Sequence, residues 1–255
     1  MVMRNPAGNK LFLADYTWEE LDKIKDKKKI IFLLPIGAIE EHGYHLPLKT
    51  DIFLASQVAK KAALKVPGVI VMPDISYGFS ITVANYSGTI TIAPDTLISL
   101  VCDIVESLYR NGFRKLVIYN GHGGNRGTLD TAQREALRRL CPAGEPFDPD
   151  FDIYLSNVLE KIAPDLIPLA ENKDWGHACQ IETSIMLSLE PELVDMTKAV
   201  EEYLPGDADT QWRVRNMKKE TPAGVHGAPK LSSAKKGDKI VELLVNHLVQ
   251  LLQRI

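Results

Sequence analysis

Residues 30–66 read IIFLLPIGAIEEHGYHLPLKTDIFLASQVAKKAALKV. The opening IIFLL is a continuous apolar run with β-branched residues at its start. It lacks the alternation of a half-exposed strand and suits a strand covered on both faces, as in a parallel sheet. From Asp51 onward apolar residues recur at helical spacing. Between strand and helix lies PIGAIEEHGYHLPLKTD, residues 35–51, which carries Glu40, Glu41, His42, His45 and Asp51. Carboxylates and imidazoles together are the ligand set for zinc, manganese or iron. This loop at the carboxyl end of a strand points to a metal-dependent hydrolase; the bland alternative is a polar loop of solvated charges.

The chain has 255 residues, 45% of them apolar and 25% charged, with a net charge of -3. That is an ordinary globular composition, long enough for one large core, and the chain reads as a single domain over 1–255. The charge balance gives no case for nucleic acid or an anionic membrane. No apolar run approaches the ~20 residues that span a bilayer. Cys102, Cys141 and Cys179 are widely spaced and odd in number, so they form no disulfide framework, and the cytoplasm is the expected location.

Outward from the loop, Thr17 with Glu20 forms a capping-box pattern before a short helix. The lysines between Lys23 and Lys29, broken up by Asp22 and Asp26, read as a solvated helix end. Val69–Met72 reads as a second strand, and the glycines and β-branched residues of 76–94 suggest a loop with a short hairpin. Asp95 is placed to cap the next helix, which ends at Gly112. KLVIY, residues 115–119, is a third strand, followed at once by NGHGGNRG and a helix. FDIYLSN, residues 151–157, resembles another strand. Residues 177–194 are helical by periodicity, 190–236 read as loops folded over the site, and the end of the chain is an amphipathic helix containing His247. The alternation predicts an α/β fold, a three-layer α/β/α arrangement with a mainly parallel central sheet.

The junction after KLVIY is neither a phosphate loop nor Gly-x-Gly-x-x-Gly. Its glycines allow close approach of a ligand. In a parallel sheet His122 arrives at the same edge as the first loop. Glu40 and His42 are two residues apart and point the same way in an extended segment. Asp51 offers two oxygens, enough to bridge a metal pair ~3.5–4 Å apart, although a helix cap is its plain reading.

Taken together, PIGAIEEHGYHLPLKTD, YNGHGGN and HACQIETS resemble the creatininase (creatinine amidohydrolase) family, from the first strand to the glycines of PAGVHGAPK. The resemblance implies a parallel-sheet α/β fold, often as a hexamer, and a two-metal site of zinc, manganese or iron that hydrolyses amides, often cyclic ones. By position, Glu40, Asp51 and His122 match one metal site, and His42 with the bridging Asp51 matches part of the other. His177 matches a histidine that helps protonate the leaving group. Glu182 matches the glutamate of a Glu-Thr-Ser element, where it could orient a neighbour.

The chain also departs from the family. The glutamate that completes the second metal site falls at Gly124 in some members and at Gln180 in others. Gln180, sharing a helix face with His177 at i, i+3, is expected to be a weak metal ligand or a substrate contact, leaving one or two metals per chain. Thr82 and Val83 replace a Glu-His pair, which implies an altered pocket.

Among the other residues, Glu41 reads as solvated or supporting rather than ligating. His45 binds substrate or anchors its loop. His226 reaches the site or is structural. Trp175 is a lid or core, and Cys179 a buried thiol.

The mechanism expected is metal-assisted hydrolysis with the Gly123 and Gly124 amides at the oxyanion. The substrate expected is a small cyclic amide. A cyclic β-diketone, such as an oxidised inositol cleaved at a carbon–carbon bond, is the alternative. A catalytically silent binding protein is the non-enzyme reading.

Overall fold

The computed structural model describes residues 2–141, 150–158, 163–171, 176–205 and 216–255. Trp175 lies outside the described residues. Four strands, β1 (Ile31–Ile36), β2 (Val69–Val71), β3 (Lys115–Asn120) and β4 (Asp152–Asn157), form an all-parallel sheet in the order β2-β1-β3-β4. The helices are α1 (Trp18–Asp22), α2 (Thr50–Ala63), α3 (Pro94–Arg110), α4 (Arg126–Leu140), α5 (Ala163–Leu166), α6 (Gln180–Leu189), α7 (Met217–Glu220) and α8 (Ala234–Arg254).

The unbroken apolar run of β1 is explained by its two covered faces. Ile31 and Leu33, with Val117 and Tyr119 of β3, belong to the core under α2, α6 and α8. Phe32, Leu34 and Ile36, with Leu116 and Ile118, belong to the core under α3 and α4. Alternate residues thus serve opposite layers, as the pleat requires. Burying each such side chain stabilises the fold by about 1.5–3 kcal/mol. Truncating one central residue, Leu116→Ala, would cost about 2–5 kcal/mol because the close-packed site collapses only in part.

From β1 the chain moves outward to β2, then returns to the other side of β1 for β3 and β4. The order therefore reverses between β1 and β3, and the crevice beyond the carboxyl ends of those strands is where such sheets bind ligands. The two motif loops leave from those ends.

Thr17 and Glu20 form the expected capping box. The lysines beyond it pair at the surface, Lys23 with Glu19 and Lys29 with Asp26.

Four local expectations are corrected. Residues 76–94 form no hairpin: Ile90 pairs with Ile39 and Thr91 with Gly78 as single bridges, around a 3₁₀ turn at Ile81–Val83. Asp95 lies in the first turn of α3, behind Ala93 at the cap and Pro94. Asp51 likewise sits inside the first turn of α2, and Lys49 is the N-cap. His177 precedes α6, which starts at Gln180, because Ala178 takes a left-handed φ of 50° that breaks the helix. His177 and Gln180 therefore do not share a helix face. Among the described residues no helix is long and apolar enough to cross a membrane.

Candidate metal centre

Two glycines at the strand ends decide where Asp51 sits. A Cβ on Gly37 would come within 2.5 Å of the Ile52 backbone, and one on Gly121 would collide with the carbonyl of Asp51. Their absence lets the first turn of α2 press against the ends of β1 and β3. Asp51 is thereby set between the two motif loops.

Asn125 fixes those loops to each other. Its amide donates to the Gly37 carbonyl at 3.0 Å and to Asn120 Oδ1 at 3.3 Å, and its oxygen accepts the Phe79 N–H at 2.8 Å. Asn120 in turn donates to the His122 carbonyl at 2.8 Å.

The site is dry. Glu40 is 2% exposed, His42 1%, Asp51 4%, and His122 and Glu182 7% each. Asp51 uses its two oxygens in different directions: Oδ1 lies 3.1 Å from His42 Nε2 and Oδ2 lies 2.9 Å from His122 Nδ1. His122 Nδ1 is also 3.4 Å from Glu40 Oε1. Three overlapping groups each bring their donor atoms within 4.8 Å of one another: Glu40–Asp51–His122, His42–Asp51–Glu182 and Glu40–His42–His177.

The histidines are oriented by backbone carbonyls. His42 Nδ1 lies 3.3 Å from the Glu40 carbonyl, His122 Nε2 3.0 Å from that of Phe79, and His177 Nε2 2.8 Å from that of Glu41. A carbonyl only accepts, so each of those nitrogens carries the proton. The other nitrogen of each ring is left facing the carboxylates, the arrangement that fixes a ligating tautomer.

The site suits a dication. Glu40 Oε2, Asp51 Oδ2 and Glu182 Oε2 are buried with no hydrogen-bond partner, although Asp51 Oδ2 is close to His122 Nδ1. Carboxylate oxygens stripped of water are costly unless a cation meets them, and two lone pairs converging from Asp51 and His122 are what a metal ligand pair presents. Without a metal, protons take over its charge. Burial opposes a charge on His42, but Asp51, Glu182 and Glu40 outweigh it and hold the imidazolium up to about 10. Burial likewise opposes charge on His122, and Glu40 and Asp51 again prevail and raise it. Asp51, against its own burial, is held low by His42 and His122.

The remaining residues of the motifs fall around this cluster. Glu41 is buried rather than solvated: its Oε1 lies 3.0 Å from His177 Nε2, and its Oε2 accepts the Gly43 N–H at 2.9 Å. His177 Nδ1 faces Glu40 Oε1 at 3.8 Å. His45 bonds through Nε2 to Thr183 Oγ1 at 2.9 Å, and burial with His42 and His177 nearby pushes it down to about 4. It is therefore neutral at pH 7 and ties its loop to α6.

Gln180 points elsewhere, accepting the Glu171 N–H through Oε1 at 3.3 Å. Gly123 and Gly124 open a 3₁₀ turn beside His122. His226 pairs with His177 through the backbone and accepts the Leu204 N–H on Nδ1. Cys179 is buried, and burial pushes its thiol up to about 12.

Ser80, 3.3 Å from His122 Nε2, and Asn125 are supporting residues that the motif reading missed. The flanking asparagines of YNGHGGN were the available signal for Asn125.

A parallel α/β sheet carrying overlapping carboxylate–histidine groups at its switch point defines a metal-site protein of the α/β class. The family model for creatinine amidohydrolase, Creatininase, matches residues 14–252, and the chain belongs to that family. It is 29% identical to the creatinine amidohydrolase of Pseudomonas putida, over 95% of this chain and 96% of that one. It is 30% identical to a mycofactocin precursor peptide peptidase of Mycobacterium ulcerans (strain Agy99), over 87% of this chain and 84% of the other. It is 26% identical to a 3-dehydro-scyllo-inosose hydrolase of Thermotoga maritima, over 99% and 85%. Among solved structures, a manganese creatininase superposes with a TM-score of 0.84 at 28% identity, covering 96% of this chain and 98% of that one. A mutant creatininase of the Zn-Zn type superposes with a TM-score of 0.82 at 28% identity and the same coverage. These relatives are hydrolases of differing substrates.

Proposed function

We propose that this chain is a metal-dependent hydrolase that opens a small cyclic amide. The observation that carries the reading is the division of Asp51 between two donor groups, Oδ1 toward His42 and Oδ2 toward His122. One carboxylate shared in this way is how paired metals are bridged in hydrolytic centres. Zinc or manganese, one or two ions per chain, would be held by Glu40, Asp51 and His122 and by the group around His42. Such ions supply Lewis acidity and an activated water at neutral pH.

The protein's own groups do the rest. Burial and opposition from His42 disfavour a charge on His177, but Glu41 and Glu40 outweigh them and raise its pKa. A protonated His177 presents Nδ1–H toward the site and is the group that delivers a proton to the leaving nitrogen. Glu41 holds the ring in that orientation. The Gly123 and Gly124 amides are assigned to the developing oxyanion. The small-molecule reaction is assigned to a homo-oligomer, a hexamer by family resemblance. Exposed Tyr44, Tyr77, Ile81 and Ile90 supply apolar surface for subunit contacts.

Carbon–carbon cleavage of a cyclic β-diketone is the second reading. It is favoured by the uncharged segment of Ser80, Thr82 and Val83, of which Ser80 lies 3.3 Å from His122 Nε2, and by the likeness to the inosose hydrolase across nearly the whole chain. A silent binding protein is the weaker reading, because Glu40, His42, Asp51, His122, His177 and Glu182 stand together in overlapping donor groups.

Metal-loaded protein supplied separately with creatinine and other cyclic amides, a cyclic 1,3-diketone and a linear peptide, with products read by mass spectrometry, tests this. Opening of a cyclic amide is the expected result. Cleavage of the diketone alone replaces the first reading by the second, and cleavage of the peptide alone removes the small-molecule assignment. No turnover with metal bound contradicts an enzyme.

A further inference from the structure

We propose that Glu182, from the first turn of α6, supplies the carboxylate of a second metal site with His42 and Asp51. The inference rests on the metal-hydrolase reading above. It reassigns a residue whose sequence context suggests only an orienting role, and it answers the two departures at Gly124 and Gln180.

Neither of those positions can serve in this chain. A Cβ on Gly124 would collide with His122 Nε2 and lie 2.5 Å from the Phe79 carbonyl, so the β3–α4 turn has no room for a side chain there. Gln180 is turned away, its oxygen committed to the Glu171 N–H. The second site would then have only His42 and Asp51 from the motif loops.

Glu182 fills the gap from the opposite side. It is 7% exposed, its Oε2 has no hydrogen-bond partner, and a carboxylate oxygen lies within 4.8 Å of donor atoms on both His42 and Asp51. It stands in the first turn of α6, three residues after the N-cap Cys179, so the helix start sets where its side chain departs. Two anchors on the same helix turn support the arrangement. Thr183 bonds His45 of the first motif loop, and Ser184 Oγ donates to the Gln180 carbonyl at 2.6 Å. The turn at Gly123 and Gly124, where a charged ligand would otherwise stand, is left without a side-chain charge.

A neutral, protonated Glu182 that merely hydrogen-bonds would be mimicked by glutamine, which makes Glu182→Gln the discriminating variant. Full-length wild type, Glu182→Gln, Glu182→Asp and Gln180→Ala are stripped with chelator and titrated with manganese. Stoichiometry is read by calorimetry, and pairing of the ions by electron paramagnetic resonance. Wild type and Gln180→Ala are expected to bind two ions with an exchange-coupled signal. Glu182→Gln is expected to show a mononuclear signal, its second ion weakened beyond the ~10–100-fold that loss of a mere outer-shell partner costs. Glu182→Asp should restore part of the second binding, which misfolding would not. Two coupled ions in Glu182→Gln, or one ion in wild type, would overturn the assignment. Two ions without hydrolysis of any substrate would instead count against the function and leave this site standing.

Discussion

Glu41 grips His177 twice: its side-chain Oε1 lies 3.0 Å from His177 Nε2, and its backbone carbonyl 2.8 Å from the same atom. One residue thus sets both the tautomer and the tilt of the ring that faces Glu40. Glu41→Gln keeps an acceptor and should lower kcat modestly. Glu41→Ala should approach the effect of His177→Ala, a loss of about 10²–10⁴ expected for a general acid. Steady-state kinetics on the substrate found by the product screen check this; a His177→Ala enzyme with unchanged kcat would remove the acid role.

His122 stands in the donor group with Glu40 and Asp51. His122→Ala should abolish turnover and one bound metal while circular dichroism keeps the wild-type shape, because the ring contributes donor atoms and not core packing. Full activity in this variant would sink the site assignment.

Asn125 joins Gly37, Phe79 and Asn120 from a fully buried position. Asn125→Ala leaves a carbonyl and an N–H unpaired away from water, which costs roughly 1–3 kcal/mol per orphaned group. Thermal melting of metal-free protein should show a clear drop in Tm, together with weaker metal retention. An unchanged Tm would mean that the loops do not depend on this clasp.

Protons and metal compete for the same cluster. His42 is held up to about 10 from an ordinary 6.5, and His122 and His177 are also raised. A raised histidine stabilises the folded state below its unfolded pKa, and that contribution is lost as pH climbs through the folded value. Chelator-treated protein should therefore lose stability between about pH 7 and 10, while metal uptake at pH 7 should release protons. Melting curves across that window, and calorimetry in buffers of differing ionisation enthalpy, measure the two effects. A metal-free protein whose stability rises across the window would contradict this account.

Cys102 and Cys179 are buried and their thiols are raised by burial, the latter to about 12, while Cys141 is partly exposed. Since the thiolate is the reactive species, native protein should yield one fast thiol to a disulfide reagent and three after denaturation. A fast-reacting Cys179 would show that α6 opens readily.

The layers were readable because IIFLL and KLVIY are too apolar for any strand but a doubly covered one, and helical periodicity marks α2, α3 and α8. The short-range signals failed where distant partners decide. Ile90 and Thr91 look like hairpin residues, yet their partners are Ile39 and Gly78. The periodicity of Ile181, Ile185 and Leu189 extends back toward His177, and no glycine or proline announces the left-handed turn at Ala178. Glu41 read as either solvated or supporting, because nothing local reveals that His177, 136 residues away, closes over it. Glu40, His42, Asp51 and His122 were legible because residue chemistry and position at strand ends agreed. Glu182 was legible only as a motif residue, since its place beside His42 and Asp51 depends on how α6 meets the sheet.

Whether this acid–histidine cluster is a metal centre is decided by the metal content of untagged protein, measured by elemental analysis after loading with zinc or manganese. About two ions per chain is the predicted result for a bridged pair at Asp51. No retained metal after incubation with either ion would contradict the account.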